Sequence, residues 1–493
     1  MLLSSLTTIL QAIGVPPSWS KGAQAESSKV LKFRLEMKSP GTAALEQTVL
    51  EVSSPHHPRY GKHMKRDEVA DLLQPEHNVL DIILSWLYSN KVSENSIDVH
   101  GNWISFGATV SQAEAMFHTQ FSYHHNSASQ RSWIRTLEYS VPCRIWPYIH
   151  SVQPTTKFGK MKAPQNTDLS KRAGLPLDQP IVATAEDLVA ECGIVMRPDC
   201  IRDLYGLYGT TASPDPANRL GVSGFLDQYA RHADLTHFIH RFSSTASNLD
   251  FNVVSVNGGM NPQKSSASST EASLDVQYAA ALAHNAPVTF YTTVGRARSK
   301  SPAGELVVDD SQNEPFLDQL HYLINLPDDE LPAVLTTSYG EIEQSVPATY
   351  ARSVCNLFAQ LGARGVSVIF SSGDSGVGES CLSNDGKNRT RFQTIFPASC
   401  PFVTAVGGVE GMHPEVAIDF SSGGFSDIFG RPEYQDQVVD NYLDHLGSQW
   451  AGYYNPRGRA TPDVAAQAKN FIIRDHDTWL KISGTRFVPI LRF

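Results

Sequence analysis

The sequence predicts an α/β protein in which a parallel sheet flanked by helices follows a smaller α+β domain. From residue 219 onward, apolar strand-like runs such as 220–225 and 366–372 alternate with helix-like segments, which is the pattern of a parallel sheet buried on both faces. Residues 30–158 mix shorter strand-like and helix-like stretches, as in a small α+β sandwich. At 493 residues the chain is also longer than one typical core.

The chain divides into four predicted segments. They are a short apolar signal peptide at 1–14, the α+β domain at 15–158, a polar and turn-rich linker at 159–185, and the α/β domain at 186–493. The dibasic pair Lys171-Arg172 makes the linker a candidate processing site. No apolar run reaches the roughly 18 residues that a membrane-spanning helix needs. Together with the signal peptide, this indicates a secreted, extracellular protein.

Charge is unevenly distributed along the chain. Residues 1–172 carry 18 Lys and Arg against 14 Asp and Glu, whereas residues 173–493 carry 22 against 36. Opposite charges predict that the two parts dock on each other, and the alternative is two solvated surfaces that differ by chance. With a net charge of −10, no nucleic-acid partner is predicted, and a monomer is expected.

A Gly-Asp-Ser-Gly loop at residues 373–376 follows the apolar run 366–372, at the sheet edge where active sites of parallel sheets lie. A trypsin-like site would need an upstream His on an all-β double barrel. An aspartic protease would need a second Asp-Thr/Ser-Gly loop. The sequence offers neither. What remains is a site in which Asp374 supports an oxyanion, or a plain strand-ending turn.

A pair of acidic residues favours the peptidase interpretation. Glu271 and Asp275 are spaced i and i+4 on a predicted helix that Ser269 or Thr270 could cap, so both carboxyls project from one face. Solvated helix faces often carry such pairs without function. Two adjacent carboxyls can also share a proton, however, and this suits acid–base chemistry. With Asp374 at the sheet edge, the pair predicts a catalytic site.

The cysteines and a sequon suggest modifications typical of secreted proteins. The cysteines show no Cys-x-x-Cys spacing, which disfavours zinc. Cys192 and Cys200 are a candidate disulfide, and one cysteine among Cys355, Cys381 and Cys400 lacks an obvious partner. Asn388 begins the sequon Asn-Arg-Thr and is a candidate glycosylation site.

Further motifs stand in a characteristic order: Ser338-Tyr-Gly-Glu-Ile-Glu343, Phe396-Pro-Ala-Ser-Cys-Pro401, Ser421-Ser-Gly-Gly-Phe-Ser426 and Gly458-Arg-Ala-Thr-Pro-Asp463. With the stretches 15–19 and 53–63, they make the chain resemble the sedolisin, or serine-carboxyl peptidase, family, especially its secreted fungal tripeptidyl-peptidase-like members. The resemblance implies a subtilisin-like parallel sheet preceded by a ferredoxin-like activation propeptide. It also implies a peptide or protein substrate and a propeptide that acts as an intramolecular inhibitor.

The resemblance assigns roles to individual residues. Glu271 matches the general base, Asp275 its orienting partner and Asp374 the oxyanion residue. Because a carboxylate is a weak base near neutral pH, such a site is suited to acidic conditions. Backbone groups for an extended substrate would come from Ser338, Tyr339, Gly340, Ser422, Gly423 and Gly424.

The chain departs from the family pattern at the nucleophile. The family places its serine in Gly-Thr-Ser, and here the stretch reads Gly484-Thr485-Arg486. Since removing such a serine lowers turnover about a million-fold, we expect the chain as written not to perform normal covalent catalysis. The family's calcium ligands would lie beyond Phe493, so we expect a C-terminally truncated chain.

The sequence therefore predicts a secreted acid serine-type peptidase zymogen, a tripeptidyl-peptidase or an endopeptidase. Its Ser-Glu-Asp triad would lack the nucleophile in this chain. The alternative is a catalytically inactive sedolisin-like peptide-binding protein.

Overall fold

The computed structural model describes residues 7–15, 19–127, 131–158, 161, 192–207, 215–242, 249–283, 285–294, 297–300, 306–309, 315–383, 387, 389–412 and 414–485. An N-terminal α+β domain precedes an α/β domain with a large, mainly parallel sheet, so the predicted fold class is confirmed. The helices are α1 (Thr42–Ser53), α2 (Arg66–Leu72), α3 (Val79–Ser89), α4 (Val110–Phe117), α5 (Pro198–Leu204), α6 (His232–Phe242), α7 (Thr270–Leu282), α8 (Pro315–Ile324), α9 (Ala348–Ala363) and α10 (Asp436–Leu446).

Antiparallel sheets build the N-terminal domain, with the orders β4-β5-β3-β9, β2-β6-β7 and β1-β8. Alternating apolar residues of β3 and β5 face one core, where Phe33 lies opposite Phe106 in the register and 5.4 Å from Phe117 of α4 between ring centroids. The strands are β1 (Thr7–Ala12), β2 (Trp19–Gln24), β3 (Val30–Met37), β4 (Asp98–His100), β5 (Trp103–Thr109), β6 (Ser122–Asn126), β7 (Arg131–Arg135), β8 (Glu138–Pro142) and β9 (Ile149–Gln153).

Strand β1 comes from the segment that the sequence predicts as a signal peptide. It runs antiparallel to β8, from Thr7 opposite Pro142 to Ala12 opposite Glu138. This pairing exists only in a chain that retains residues 7–12, and the signal peptide stays a prediction. The predicted linker lies outside the described residues except for Met161, which is buried in the core of the α/β domain.

The central sheet of the α/β domain has the order β11-β12-β10-β15-β17-β19, with β23 parallel and β20 antiparallel to β19. Its strands and the smaller hairpins are β10 (Leu220–Gly224), β11 (Phe251–Val256), β12 (Val288–Thr293), β13 (Ala297–Lys300), β14 (Leu306–Asp309), β15 (Val334–Thr337), β16 (Glu341–Ile342), β17 (Ser367–Ser371), β18 (Ile395–Phe396), β19 (Thr404–Glu410), β20 (Val416–Ala417), β21 (Gly424–Gly430), β22 (Gly458–Thr461), β23 (Val464–Gln467), β24 (Phe471–Asp475) and β25 (Thr478–Ile482).

Helices cover both faces of this sheet because its strands are apolar on both sides. Successive residues of β12 point to opposite faces, so Phe290 joins one core with α6 and α7, and Tyr291 joins the other with α8 and α9. The carboxyl ends of β15 and β17 lead directly to residues 338–340 and 373–376. The sheet thereby brings two of the predicted site segments to the same edge.

The N-terminal domain packs on α8 and α9 of the α/β domain. Leucine and valine side chains of α1, α2 and the residue after α2 form a buried cluster with two alanines of α9, and the backbone N–H of Met64 donates to the Ala363 carbonyl at 2.8 Å. We call this cluster the alanine contact, and its fully buried members are Leu45, Val49, Val69, Leu73, Ala359 and Ala363. The two parts therefore dock through a buried apolar contact.

Polar groups of β3 cross the same interface. Arg34 forms an ion pair with Asp318 of α8. The Ser353 hydroxyl of α9 donates to the Glu36 carboxylate. Burial raises the pKa of Glu36, although nearby His150 and the Ser353 bond act in the opposite direction.

His321 of α8 lies at the edge of this interface beneath the N-terminal domain. Its ring meets the Trp103 ring edge-on at 4.8 Å between centroids. Its Nε2 atom is buried and has no hydrogen-bond partner among the described residues. Burial, the Arg34 guanidinium and His100 together lower the pKa of His321 to about 3.

We expect His321 to weaken docking in acid. A released α8 would expose the ring, with an ordinary pKa of about 6.5. Below that pH the released form binds a proton that the docked form does not, so each further pH unit disfavours docking about tenfold. Glu36 acts in the opposite sense, because its raised pKa makes the docked form hold a proton more tightly.

The test uses the chain cut once in the linker, with the dissociation constant of the two pieces measured at about pH 7 and about pH 4.5. Replacing His321 with Gln should remove about a hundredfold of the acid-induced weakening. His240→Gln, on the exposed side of α6, is the control. Identical pH dependence in the wild-type and His321→Gln chains would show that His321 does not sense pH.

Candidate active site

Helix α7 holds the two predicted catalytic carboxyls inside the protein. Every residue from Thr270 to Ala281 is buried, and Glu271 and Asp275 are each 1% exposed. The alternative that this pair lies on a solvated helix face is therefore wrong. Both candidate catalytic carboxyls therefore lie in the interior of the α/β domain, one helical turn apart.

The start of α7 differs from the prediction. Ser269 makes no side-chain cap to the helix, because its hydroxyl accepts a hydrogen bond from the Tyr229 N–H at 3.0 Å. The Glu271 N–H donates instead to the Gln228 side-chain oxygen at 3.2 Å. The loop after β10 thus satisfies the helix terminus in place of a local cap.

Ser338 connects β15 to α7. Its hydroxyl donates to Asp275 Oδ1 at 3.1 Å, and the Tyr339 hydroxyl donates to the Phe225 carbonyl at 3.3 Å. A Cβ on Gly340 would lie 2.4 Å from the side chain of Ile395, so only glycine fits there. The predicted segment 338–340 is therefore fixed directly against the acidic helix.

Asp374 lies against the last described residues of the chain. Its Oδ1 atom accepts hydrogen bonds from the Thr485 N–H at 2.6 Å and the Thr485 hydroxyl at 2.8 Å. The same hydroxyl accepts from the Gly373 N–H at 3.1 Å. Gly373 has φ +103°, and a Cβ would lie 2.6 Å from Ile395. Position 486 therefore comes directly after Thr485, which is hydrogen-bonded to Asp374. Arg486 itself is outside the described residues.

The segment 422–424 lies on the other side of the Asp374 loop. The Ser422 N–H donates to the Gly373 carbonyl, and the Ser375 N–H donates to the Ser422 hydroxyl, both at 2.8 Å. Gly423 is close-packed, since a Cβ would lie 3.0 Å from the Thr461 carbonyl, and Gly424 has φ +143°. The fold thus brings 422–424 and Asp374 together, with Ser338 on Asp275 at the same edge of the sheet.

Asp475 is an important site residue that sequence reasoning missed. Its side chain is 4% exposed and pairs with Arg231 at 2.7 Å. It also accepts hydrogen bonds from the Ser269 N–H at 3.0 Å and the Ser273 hydroxyl at 3.2 Å. This carboxylate links the start of α7 to the β24–β25 hairpin that leads to Thr485. Its one sequence signal is an acid two residues after the apolar run 471–473.

The cysteines form two disulfides, Cys192–Cys200 and Cys355–Cys400, with Cα–Cα distances of 5.7 and 5.6 Å. The second bridge joins α9 to the loop after β18. Cys381 and Cys143 are not disulfide-bonded. Asn388, the glycosylation candidate, lies outside the described residues.

The calcium site that the resemblance implies is not identified among the described residues. They contain no cluster of three or more His, Cys, Asp or Glu side chains arranged to hold a metal. We therefore assign no calcium ligand and derive no step from calcium. Within the same residues, no helix has the length and apolar character needed to cross a membrane.

We expect the substitution Asp475→Asn to destabilise the folded chain by about 3 kcal/mol, because the buried Arg231 loses its nearer anion and keeps only Asp234 at 3.8 Å. Asp477→Asn is a matched control in the same hairpin, since its side chain is 78% exposed and pairs with Arg474, and it should cost less than about 1 kcal/mol. Equilibrium denaturation of both variants measures the difference. Equal stabilities would show that the Asp475 network does not hold the site together.

The chain is similar to known proteins over nearly its whole length. Residues 17–158 match the family described as the pro-kumamolisin activation domain. Tripeptidyl-peptidase SED4 of Arthroderma otae is 47% identical over 96% of this chain and 77% of its own length. Tripeptidyl-peptidase SED3 of the same organism is 46% identical over 98% and 80%, and the probable tripeptidyl-peptidase SED3 of Trichophyton verrucosum is 46% identical over 97% and 79%. The chain belongs to the sedolisin, or serine-carboxyl peptidase, family.

Proposed function

We propose that this chain is the precursor form of an acid-acting tripeptidyl-peptidase whose catalytic groups are Glu271, Asp275 and Asp374. One observation carries the proposal: the acidic pair is buried on α7, and the chain segment before position 486 is hydrogen-bonded to Asp374. The names of the relatives favour release of tripeptides over internal cleavage.

Glu271 would act as the general base that takes the proton from an attacking hydroxyl. Asp275 would hold the proton shared by the pair, and its own position is fixed by the Ser338 hydroxyl at 3.1 Å. A carboxylate base works best at a pH near its own pKa. The coupled pair is therefore suited to an acidic medium, in which one proton is retained between the two groups.

Asp374 would stabilise the negative oxygen that develops on the substrate. Its Oδ1 atom accepts both hydrogen bonds from Thr485, so the proton of a neutral Asp374 would reside on Oδ2 and could be donated to that oxygen. A comparable donor is worth about 3 to 4 kcal/mol in the transition state. Protonation of this carboxyl is a second reason for activity in acid.

Arg486 stands where the family has its nucleophilic serine, and we propose that the chain as written forms no acyl-enzyme. This residue also supports the alternative, a non-catalytic family member that binds peptides. An arginine supplies no hydroxyl for Glu271 to deprotonate, whereas segments 338–340 and 422–424 could still hold a peptide through backbone groups.

Secretion is part of the proposal. Two disulfides support it, because such bonds persist in oxidising compartments. The N-terminal domain would accompany the chain as its intramolecular inhibitor, since it packs on α8 and α9 and belongs to an activation-domain family.

The direct test is restoration of the nucleophile by Arg486→Ser. We expect the chain as written to release no tripeptides at about pH 4 and the serine variant to release them, as measured by mass spectrometry of the products. Adding Glu271→Gln should lower the regained rate about a thousandfold or more. Adding Asp374→Ala should lower it about a hundred- to a thousandfold.

Asp419→Ala in the serine variant is the matched control, because Asp419 is an exposed carboxylate near the same loop. It should leave the rate within about a factor of two. Full activity of the Glu271→Gln variant would overturn the assigned base. A folded serine variant that binds peptides but never cleaves them would favour the non-catalytic alternative.

A further inference from the structure

A buried carboxylate joins the two segments that are proposed to bind the substrate backbone. Glu343 lies shortly after segment 338–340 and is only 2% exposed. Its Oε2 atom accepts a hydrogen bond from the Ser426 hydroxyl at 2.5 Å, and its Oε1 atom accepts one from the Asp427 N–H at 2.7 Å. Both partners lie on β21, which begins with the last residue of segment 422–424. One side chain therefore connects the continuations of the two segments.

The Ser426 hydroxyl uses all of its hydrogen-bonding capacity at this junction. Its oxygen accepts hydrogen bonds from the Ile428 N–H at 3.1 Å and the Phe429 N–H at 2.9 Å. Because both lone pairs are then occupied, the proton of the hydroxyl is donated to Glu343. The backbone N–H groups of residues 427–429 thus depend on two side chains, Glu343 and Ser426, for their acceptors.

A carboxylate is the side-chain group that suits this position. A hydroxyl and a backbone N–H both donate to it, and an ionised carboxyl accepts at both oxygens, whereas a glutamine would present an NH₂ group to one of the donors. Burial raises the pKa of Glu343, and the hydrogen bonds from Ser426 and Asp427 act in the opposite direction. Burying this group is costly, and the hydrogen bonds that it accepts offset the cost.

Strand β18 and the residue before it support the junction. The Glu343 N–H donates to the Thr394 carbonyl at 3.0 Å. The Thr394 hydroxyl lies 2.8 Å from the Thr461 hydroxyl of β22, the strand that pairs with β21. The next residue, Ile395, fills the space beside Gly373, where a Cβ would lie 2.6 Å from its side chain. The spacing of the two segments is therefore set together with the position of the loop that contains Gly373.

A second, more exposed set of contacts covers the buried one. Asp427 accepts a hydrogen bond from the Gln344 side chain at 2.6 Å and forms an ion pair with Arg391, in which the two side chains are 29% and 24% exposed. Such partly exposed pairs contribute little, because water competes for both partners. The buried contacts of Glu343 are therefore the stronger connection.

We propose that Glu343 is a positioning residue that holds segments 338–340 and 422–424 at the separation at which both can bond to one extended peptide. The inference rests on the proposed peptidase function and concerns the same cleft. Glu343 acts through Ser426 and the backbone of β21. Without it the two segments would move independently, so a peptide that meets one segment in the right geometry would meet the other in a less favourable one.

The test compares Glu343→Gln, Ser426→Ala and the two combined in the chain that carries Arg486. Hydrogen exchange of the backbone amides of 427–429 measures the junction directly. These amides should exchange at least about tenfold faster in Glu343→Gln, because their local opening becomes easier. Glu433→Gln is the matched control, since it makes the same chemical change at an exposed position soon after β21.

Peptide affinity tests the role in substrate binding. The chain is cut once in the linker so that the N-terminal domain can leave, and an alanine-rich hexapeptide with a C-terminal dye is titrated by fluorescence anisotropy at about pH 4. Glu343→Gln should weaken binding at least about tenfold, which is about 1.4 kcal/mol. Ser426→Ala should also weaken it, and the double variant should bind no more weakly than Glu343→Gln, because both substitutions remove one shared bond. Glu433→Gln should bind like the wild-type chain.

Unchanged peptide affinity in Glu343→Gln, with faster exchange at 427–429, would reduce Glu343 to a stabilising residue of β21 and overturn the proposal. So would effects of the two substitutions that simply multiply in the double variant, or an absence of peptide binding by the wild-type chain. Equilibrium denaturation shows whether Glu343→Gln is folded. If it is not, the milder Ser426→Ala decides, and a folded variant with wild-type affinity would refute the positioning role.

These outcomes are separate from the test of catalysis. Exchange and affinity need no turnover, because they are measured on the chain that carries Arg486. In the Arg486→Ser chain, Glu343→Gln should mainly raise KM, whereas Glu271→Gln should mainly lower kcat. An inactive serine variant in which Glu343→Gln still weakens peptide binding would refute the catalytic proposal alone. Tripeptide release with an unchanged KM in Glu343→Gln would refute the positioning role alone.

Discussion

The buried carboxylate of Asp475 is the constraint on which the geometry of the site depends. It joins Arg231 before α6, the backbone at the start of α7 and the hairpin β24–β25. The carboxyls of Glu271 and Asp275 project from α7, and the hairpin leads to Thr485, which is hydrogen-bonded to Asp374. A buried charge with all its partners present fixes one arrangement, because every partial rearrangement leaves a charge or a donor unsatisfied.

The docking of the two domains is built from contacts that respond differently to acid. Burial lowers the pKa of His321 and raises that of Glu36, so one group favours release in acid and the other favours retention. Ion pairs such as Arg34 with Asp318 add a cation from one domain and an anion from the other. Some of the positive charge in the first part of the chain thus pairs directly with negative charge in the second.

The sequence was sufficient for features that depend on local pattern. Alternating apolar runs and helices predicted the parallel sheet, and the i, i+4 spacing of Glu271 and Asp275 predicted that they share a helix face. It could not reveal that this face is buried, because a helix on which all sides are covered shows no polar stripe. The match to an activation-domain family agrees with the propeptide that the resemblance implied.

Contacts between distant parts of the chain were beyond such reasoning. Asp475 meets Ser269 across 206 residues, and Lys157 meets Glu341 only after both domains have folded. An isolated acid or lysine gives no pattern that distinguishes a buried ion pair from a solvated charge. Strand β1 was missed for a related reason, since a short apolar run suits an edge strand and a signal peptide equally well.

The alanine contact makes separation of the domains unequal in its effects. On α9 it consists of Ala359 and Ala363, whereas the departing domain contributes Leu45, Val49, Val69 and Leu73. The larger apolar area is therefore exposed on the part that leaves. Once detached, that part would expose these side chains to self-association and proteolysis, whereas the α/β domain would expose the two alanine methyl groups and the partly buried Phe402 there. Such asymmetry would make a separation of the two domains harder to reverse.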